Sequence, residues 1–445
     1  MSSPRALWQG RRIHFVGVGG AGMSGYARAA HALGAEVSGS DAASTPFLER
    51  LAADGVLQGQ VGHRAENVPA GPGVELVYSS AVPAENVERR TARERGIPER
   101  TRAELLASLT ELRRTIAVAG THGKTTTAAM LVHILRSAGM EPGWLVGGAL
   151  GEGLANAEWG TGEWLVVEAD ESDRSMLSLS VEIALVTNVE LDHHASYSSL
   201  AEVREVFRRF LGAAPLAVVW DRPELLELRA GPVAPYDTAE LTLTAGGSSF
   251  AWQGRRVRLQ VPGAHNALDA AGALEAARLA GADETLALTG LAAFRGAGRR
   301  FQLLGASDAG ALVYDDYAHH PTEVAATLTG ARTLEHRRLV VIFQPHLFSR
   351  TVLLARDFGR ALALADVVIV LDVYPARESA AAHPGVSGLL IAEASADVAH
   401  GRPVYWLPTF ADAEPVARAL LGDGEVCVVM GAGNVDELGR RLLAR

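Results

Sequence analysis

Ala119-Gly120-Thr121-His122-Gly123-Lys124-Thr125-Thr126 follows the apolar run Thr115–Ala119 and opens a helical stretch, Thr125–Ser137. A strand, a glycine turn and a helix in that order form a phosphate cradle. Glycines let backbone N–H groups approach phosphate oxygens, and the helix N-terminus adds positive potential. In this pattern Lys124 reaches the β- and γ-phosphates and the Thr125 hydroxyl ligates Mg²⁺. The longer form of the motif has glycine at position 118, where this chain has Val118, so the loop is the shorter Gly-x-x-Gly-Lys-Thr. Composition sharpens the reading. Lys and Arg together number 41, and Lys124 is the only lysine. Arginine supplies every other permanently cationic side chain, yet the loop keeps the compact ammonium that a phosphate pocket favours over a planar fork.

Outward from the loop, two further apolar runs end in polar residues. Trp164–Glu168 leads into Ala169-Asp170-Glu171-Ser172-Asp173, and Ile183–Val189, which takes in Thr187-Asn188, leads into Glu190-Leu191-Asp192-His193-His194. Ligands of parallel sheets gather at the carboxyl ends of the strands, so Glu168 and His193 are candidate Mg²⁺ ligands beside Thr125. Asp170, Glu171 and Asp173 are open between ligand binding and a solvated acidic loop, and His194 reads as solvated. Farther on, Leu241–Val261 alternates polar and apolar residues as a small antiparallel addition, and Ala267–Ala280 is an Ala-rich helix.

The first block, residues 1–110, carries a second glycine turn. His14-Phe15-Val16-Gly17-Val18-Gly19-Gly20-Ala21-Gly22-Met23 contains Gly-x-Gly-x-x-Gly between the strand Ile13–Val18 and the helix Ala21–Leu33, and Asp41 follows about twenty residues later. A nicotinamide dinucleotide fits that spacing, as does any pyrophosphate on a helix N-terminus. A phosphate loop downstream favours a nucleotide-linked substrate over a redox cofactor. Glu36–Ser38 and Leu76–Val82 read as strands and Arg102–Leu109 as a helix, which gives a parallel sheet.

The third block, residues 296–445, alternates the strands Ala311–Tyr314, Leu339–Phe343, Val367–Leu371 and Glu425–Met430 with helices that include Thr322–Leu334 and Arg350–Leu364. Pro321 suits a first helical turn. Tyr314-Asp315-Asp316-Tyr317-Ala318-His319-His320-Pro321 and Phe343-Gln344-Pro345-His346-Leu347-Phe348-Ser349-Arg350 lie just beyond two of these strands. Arg350 is a bidentate carboxylate clamp in waiting. Arg295, Arg299 and Arg300 cluster at the junction with the preceding block, where they face either a phosphate or water.

Bulk properties bound the alternatives. A chain of 445 residues exceeds one core, so the expectation is three α/β domains: a Rossmann-like N-terminal domain (1–110), a central P-loop ATPase-like domain (111–295) and a C-terminal doubly wound Rossmann-like domain (296–445). A net charge of −10 argues against nucleic acid as a partner. No apolar run reaches the roughly 18–20 residues of a membrane span, and Met1–Gly10 lacks a signal-peptide core, so no membrane insertion is expected. Cys427, the single cysteine, lies in the apolar run Val426–Met430 and reads as buried core in a reducing, cytoplasmic setting.

Taken in order, Gly17–Met23, Tyr78–Val82, Arg102–Leu106, Gly120–Thr127, Glu168–Asp173, Thr187–His193, Pro262–Ala267, Gly298–Phe301, Asp315–Glu323, Phe343–Arg350 and Gly431–Asn434 resemble the segments of the Mur ligase family, over nearly the whole chain. The resemblance implies an ATP- and Mg²⁺-dependent ligase of peptidoglycan precursor synthesis that joins a carboxylate to an amine through an acyl phosphate. It implies UDP-N-acetylmuramate at Gly19, Gly20, Gly22, Met23, Asp41, Ser79 and Ser80. ATP would lie at Gly120, Thr121, His122, Gly123, Lys124, Thr125 and Thr126, with His265, Asn266, Asp269, Arg300 and Asp315 around it. L-Alanine would lie near His319, His346 and Arg350, and Lys124, Glu168, His193, His346 and Arg350 would carry the chemistry. A related branch recycles a murein tripeptide, and Phe343–His346 with Ser349-Arg350 resembles the alanine-adding branch instead. Two positions depart from the family: Leu347 stands where arginine is usual and Asp269 where asparagine is usual. A carbamylated lysine, which bridges metals in some relatives, is excluded because Lys124 is already in the phosphate loop. An acyl phosphate must be kept from water, which predicts domain closure with hinges near residues 110 and 296. Two other classes stay open at this point: a nicotinamide dehydrogenase fused to an ATPase, and a nucleotide-binding regulator without chemistry.

Overall fold

The structure is a computed structural model that describes residues 4–151, 153–193 and 196–443. His194 lies outside the described residues. Two compact units emerge: residues 1–237 with 269–291, and residues 238–268 with 292–445.

The first unit holds two sheets. Apolar runs such as Ile13–Val16 and Ile116–Ala119 are buried on both faces, as parallel strands covered by helices must be. Five parallel strands run in the order Gln60–Val61, Glu36–Asp41, Arg12–Val16, Val74–Tyr78 and Glu99–Thr101. The helix Ala21–Ala32 follows the central strand and has Gly20 as a cap with no side-chain hydrogen bond. Seven strands form the second sheet, ordered Ala234–Tyr236, Leu216–Trp220, Ile183–Val186, Arg114–Ala119, Trp164–Glu168, Gly143–Leu145 and Ala157–Glu158. All its pairs are parallel except the last, which is a hairpin. The three strands that end in candidate residues are therefore direct neighbours.

In the second unit, Ala239–Thr244, Gly247–Trp252 and Arg255–Leu259 form the antiparallel addition expected from their alternation. A six-stranded sheet runs Gln302–Ala306, Leu312–Asp316, Val426–Met430, Leu339–Phe343, Val367–Val370 and Val404–Trp406. Its first strand pairs antiparallel, so the sheet is not wholly parallel. Pro321 opens the helix Pro321–Ala331, with His320 as cap and Glu323 closing a capping box. The strand Leu312–Asp316 runs two residues farther than its apolar run. Asp315 and Asp316 are thus its buried last residues and not part of a loop beyond it. Burial of two carboxylates is tolerated because Arg299 Nε donates to Asp315 Oδ2, while the N–H groups of Phe301 and Ala318 donate to Asp316. Among the described residues no helix is long and apolar enough to cross a membrane.

Candidate active site

The phosphate loop owes its shape to two glycines. Gly120 has φ +145°, and a Cβ there would stand 1.9 Å from Thr187 Oγ1. Gly123 has φ +82°, and its Cβ would stand 2.6 Å from Asp269 Oδ1. Neither position accepts a side chain without displacing its neighbour. The helix that follows, Lys124–Ser137, has no side-chain cap, so its first N–H groups stay available to an anion.

The neighbouring strand end braces the loop. Asn188 Oδ1 accepts from His122 N at 2.9 Å, Asn188 Nδ2 donates to His122 O at 3.0 Å, and Thr187 Oγ1 donates to the same carbonyl at 2.6 Å. Thr121 Oγ1 accepts from Glu190 N at 2.9 Å.

Lys124 Nζ donates to the carbonyls of Gly120 and Thr121 and to both Glu171 oxygens, at 2.9 and 3.1 Å. Burial alone would lower the lysine pKa, but Glu171, then Asp170 and Glu168, outweigh it and hold the ammonium charged. Glu171 Oε1 also lies 3.2 Å from His193 Nε2, and the Glu171 backbone carbonyl accepts from the Tyr197 hydroxyl. One buried carboxylate therefore links the lysine to the histidine. The acidic run is not a solvated loop: Glu171 is buried, and Asp170 and Asp173 both accept from Arg102. Burial would raise the Asp170 pKa, but Arg102 and Lys124 together hold it below the usual carboxylate range.

Thr125 and Glu168 meet at one turn. Gly147 N donates to Glu168 Oε1 at 2.8 Å, a Cβ on Gly147 would stand 3.1 Å from Glu168 Oε2, and one on Gly148 would stand 3.2 Å from Thr125 Cγ2. A hydroxyl, a carboxylate and the imidazole of His193 are donor types that a divalent cation accepts.

The first glycine turn is braced in the same way. Gly19 N donates to Asp41 Oδ2 at 2.8 Å, and Thr45 Oγ1 donates to Gly19 O at 2.8 Å. Asp41 thus shapes the turn with one oxygen. Met23 is packed in the core, so only its backbone can reach a ligand. Gly20 and Gly22 begin the helix, and Ser79 and Ser80 follow the neighbouring strand Val74–Tyr78.

In the second unit, His346 collects the amino-acid candidates. Its ring stacks on Tyr374 with centroids 5.9 Å apart and meets His319 edge-on at 5.8 Å, while Arg350 Nη1 lies 3.2 Å from its Nδ1. Burial first, then His319 and Arg350, pull the His346 pKa down to about 3. Leu347 has φ +71° and precedes the helix Phe348–Leu362, so Arg350 sits in its first turn. Arg299 Nη2 donates to Gly431 O and its Nη1 to Gly433 O, and Arg300 lies over Tyr317. The helix Ala264–Leu279 has His265 and Asn266 in its first turn, in the second unit, and carries Asp269 where the chain re-enters the first. Burial takes the His265 pKa down to about 4. Asn266 Nδ2 donates to Pro262 O at 2.6 Å.

The structure adds Asn188 and Arg102 to the residues expected from sequence, and it singles out Glu171 from the acidic run and Arg299 from the arginine cluster. Asn188 lies two residues beyond a strand and Arg102 at a helix start, which is the only sequence signal they give.

Comparison with known proteins agrees with this geometry along the chain. Family models match in succession: "Mur ligase family, catalytic domain" at residues 12–114, "Mur ligase middle domain" at 118–277 and "Mur ligase, glutamate ligase domain" at 299–433. The UDP-N-acetylmuramate–L-alanine ligase of Mycolicibacterium vanbaalenii is 44% identical, covering 98% of this chain and 96% of that protein. That of Rubrobacter xylanophilus is 43% identical over 98% and 100%. The crystal structure of the UDP-N-acetylmuramate–alanine ligase of Thermotoga maritima superposes with a TM-score of 0.83 at 28% identity, covering 97% of this chain and 98% of that one. The three family models together span most of the chain, relatives above 40% identity cover nearly all of it, and the chain belongs to the Mur ligase family.

Proposed function

We propose that the chain joins L-alanine to the lactyl carboxylate of UDP-N-acetylmuramate, giving UDP-N-acetylmuramoyl-L-alanine, ADP and phosphate. The observation that carries the reading is the convergence of Lys124, Thr125, Glu168, Glu171 and His193 at the ends of three adjacent strands. Relatives above 40% identity over their full length carry this activity in their names.

The chemistry has two steps. The lactyl carboxylate attacks the γ-phosphorus of ATP, the bond to the β-phosphate oxygen breaks, and ADP leaves an acyl phosphate. The neutral amine of L-alanine then attacks the acyl carbon, inorganic phosphate departs, and the amide remains. Lys124, kept charged, offsets the negative charge that spreads over the transferring phosphoryl group. Thr125, Glu168 and His193 would hold Mg²⁺, which supplies further charge neutralisation on the phosphates when bound. Burial and the neighbouring His319 and Arg350 keep His346 neutral, and Arg350 Nη1 donates to its Nδ1, so the imidazole presents an N–H beside the amino-acid candidates and serves to position them. Arg350 suits the alanine carboxylate. Water must be kept from the acyl phosphate, and domain closure with hinges near residues 110 and 296 would serve that. Small-angle scattering that is unchanged by ATP and sugar nucleotide would remove closure from the reading.

The deciding assay is phosphate release with Mg-ATP, UDP-N-acetylmuramate and L-alanine, each left out in turn. Release that needs all three, with a product heavier by one alanyl residue, is expected. No release with the complete set overturns the assignment.

A further inference from the structure

The two glycine turns of the first unit are tied together by side chains that neither turn contains. Arg102 opens the helix Arg102–Thr110 behind a capping box formed by Thr101 and Glu104. Its Nη2 donates to Asp170 Oδ2 at 2.8 Å and to Asp173 Oδ2 at 2.7 Å. These carboxylates flank Glu171, which holds Lys124 and His193, and they follow Glu168. They also fix the backbone of the run, since Asp170 Oδ1 accepts from Ser172 N and Asp173 Oδ1 from Ser175 N. Four acidic residues within six positions repel one another, and Arg102 neutralises two of them.

The helix Ala21–Ala32, which begins at the first glycine turn and buries Tyr26, packs against the helix Arg102–Thr110. A second tie reaches the same helix. Asn156 Nδ2 donates to Ala21 O and to Ser24 Oγ, and Gly25 packs so closely on Ala157 that a Cβ there would stand 3.0 Å from the Ala157 Cβ. Asn156 and Ala157 lie on the return arm of the segment whose turn, Gly147-Gly148, bears on Glu168 and Thr125. From that helix, one tie through Asn156 and one through its packing on the helix of Arg102 thus lead to phosphate-site residues.

Resting on the assignment of the two turns made above, we propose that Arg102 is a positioning residue that couples the sugar-nucleotide site to the ATP site. A pyrophosphate on the turn 17–23 steadies the helix Ala21–Ala32, and through it Tyr26 and Arg102. The run 168–173 is then held with Glu168 and Glu171 already placed for ATP. Because coupling free energy is reciprocal, ATP tightens the sugar nucleotide by the same factor.

The test is calorimetric titration of the full chain with Mg²⁺ and a non-hydrolysable ATP analogue, with and without saturating UDP-N-acetylmuramate, and then in the reverse order. In the unmodified protein each ligand is expected to tighten the other by about 5-fold or more. Arg102→Met is expected to bring that factor to about one, and Arg102→Lys, which keeps the charge, to restore part of it. A merely structural role would lower the melting temperature and weaken both ligands while leaving their ratio intact. Circular dichroism establishes that Arg102→Met folds; if it does not, Tyr26→Phe and Asp173→Asn, which alter the tie more gently, carry the test. A factor of one in the unmodified protein, or an unchanged factor in the variants that fold, overturns the coupling. Binding of the ATP analogue with no binding of the sugar nucleotide overturns the site assignment itself, and the coupling falls with it.

Discussion

Lys124 is the one place in the chain where a permanently cationic side chain is not arginine, and its surroundings explain why. Its ammonium takes the Gly120 and Thr121 carbonyls and Glu171 at once, from within the loop's own curve. A guanidinium is planar and wider, and it cannot aim three donors from one atom. Lys124→Arg is therefore expected to lower kcat/KM for phosphate release by at least about 100-fold while the protein stays folded. A loss under tenfold would show that charge alone suffices there. This residue was legible in the sequence because it is unique. Glu171 was not, since it is one of four acids in a short run and nothing in the order of letters says which one faces the lysine. Glu88 was hidden for a related reason: its partners come from distant segments. It is fully buried and accepts from Ser40 Oγ, Asn67 Nδ2 and Arg64 N, with His14 Nε2 at 3.2 Å. Burial would raise its pKa, but these hydrogen bonds bring it down to about 2 from the usual 4.5. A depressed carboxylate stabilises the fold above its unfolded value and loses that contribution as pH falls through the folded one. Urea unfolding of Glu88→Gln is expected to show a deficit on the order of 3 kcal/mol near neutrality that shrinks between about pH 4.5 and 2. A deficit that does not change with pH would mean that shape and not charge is lost.

At the scale of elements, the phosphate loop is set by contact with the next strand end. The φ of Gly120 lies in the region that favours glycine, and the space its Cβ would need is filled by Thr187. Gly120→Ala is expected to cost more than about 2 kcal/mol and to abolish binding of the ATP analogue, read by thermal melting and calorimetry. Retained binding would mean that Thr187 can move aside. The elements around this loop were legible because each strand is an apolar run closed by polar residues. Strand order was not, since the run Val426–Met430 carries no mark that it inserts between Leu312–Asp316 and Leu339–Phe343. The edge strand Gln302–Ala306 was missed because its side chains are half-exposed or exposed, which leaves no continuous apolar signal. Asp315 and Asp316 were placed outside their strand because carboxylates look like loop residues until Arg299 and the N–H groups of Phe301 and Ala318 are seen to pair with them.

At the scale of the whole molecule, the chain offers one chemical reporter of its interior. Cys427 lies in the strand Val426–Met430, hydrogen-bonded on both sides within the six-stranded sheet, and is completely buried. Burial pushes its thiol up to about 12, so almost no thiolate exists at neutral pH even if a reagent could reach it. Access and ionisation therefore fail together, and both return only when the sheet of the second unit opens. Native protein is expected to resist a thiol reagent at neutral pH, and denatured protein to take up one equivalent. The labelling rate in intermediate urea should track the loss of circular dichroism from that unit. Cys427→Ala removes a small buried group and is expected to cost roughly 1 kcal/mol of stability. It should leave turnover unchanged at temperatures where the variant is folded, because the thiol packs among Val340, Ile342 and Val429 and takes no part in the chemistry. Rapid labelling of the native protein would instead show that the core of the second unit opens under native conditions, and the strand Val426–Met430 would then be its weakest point and not its centre.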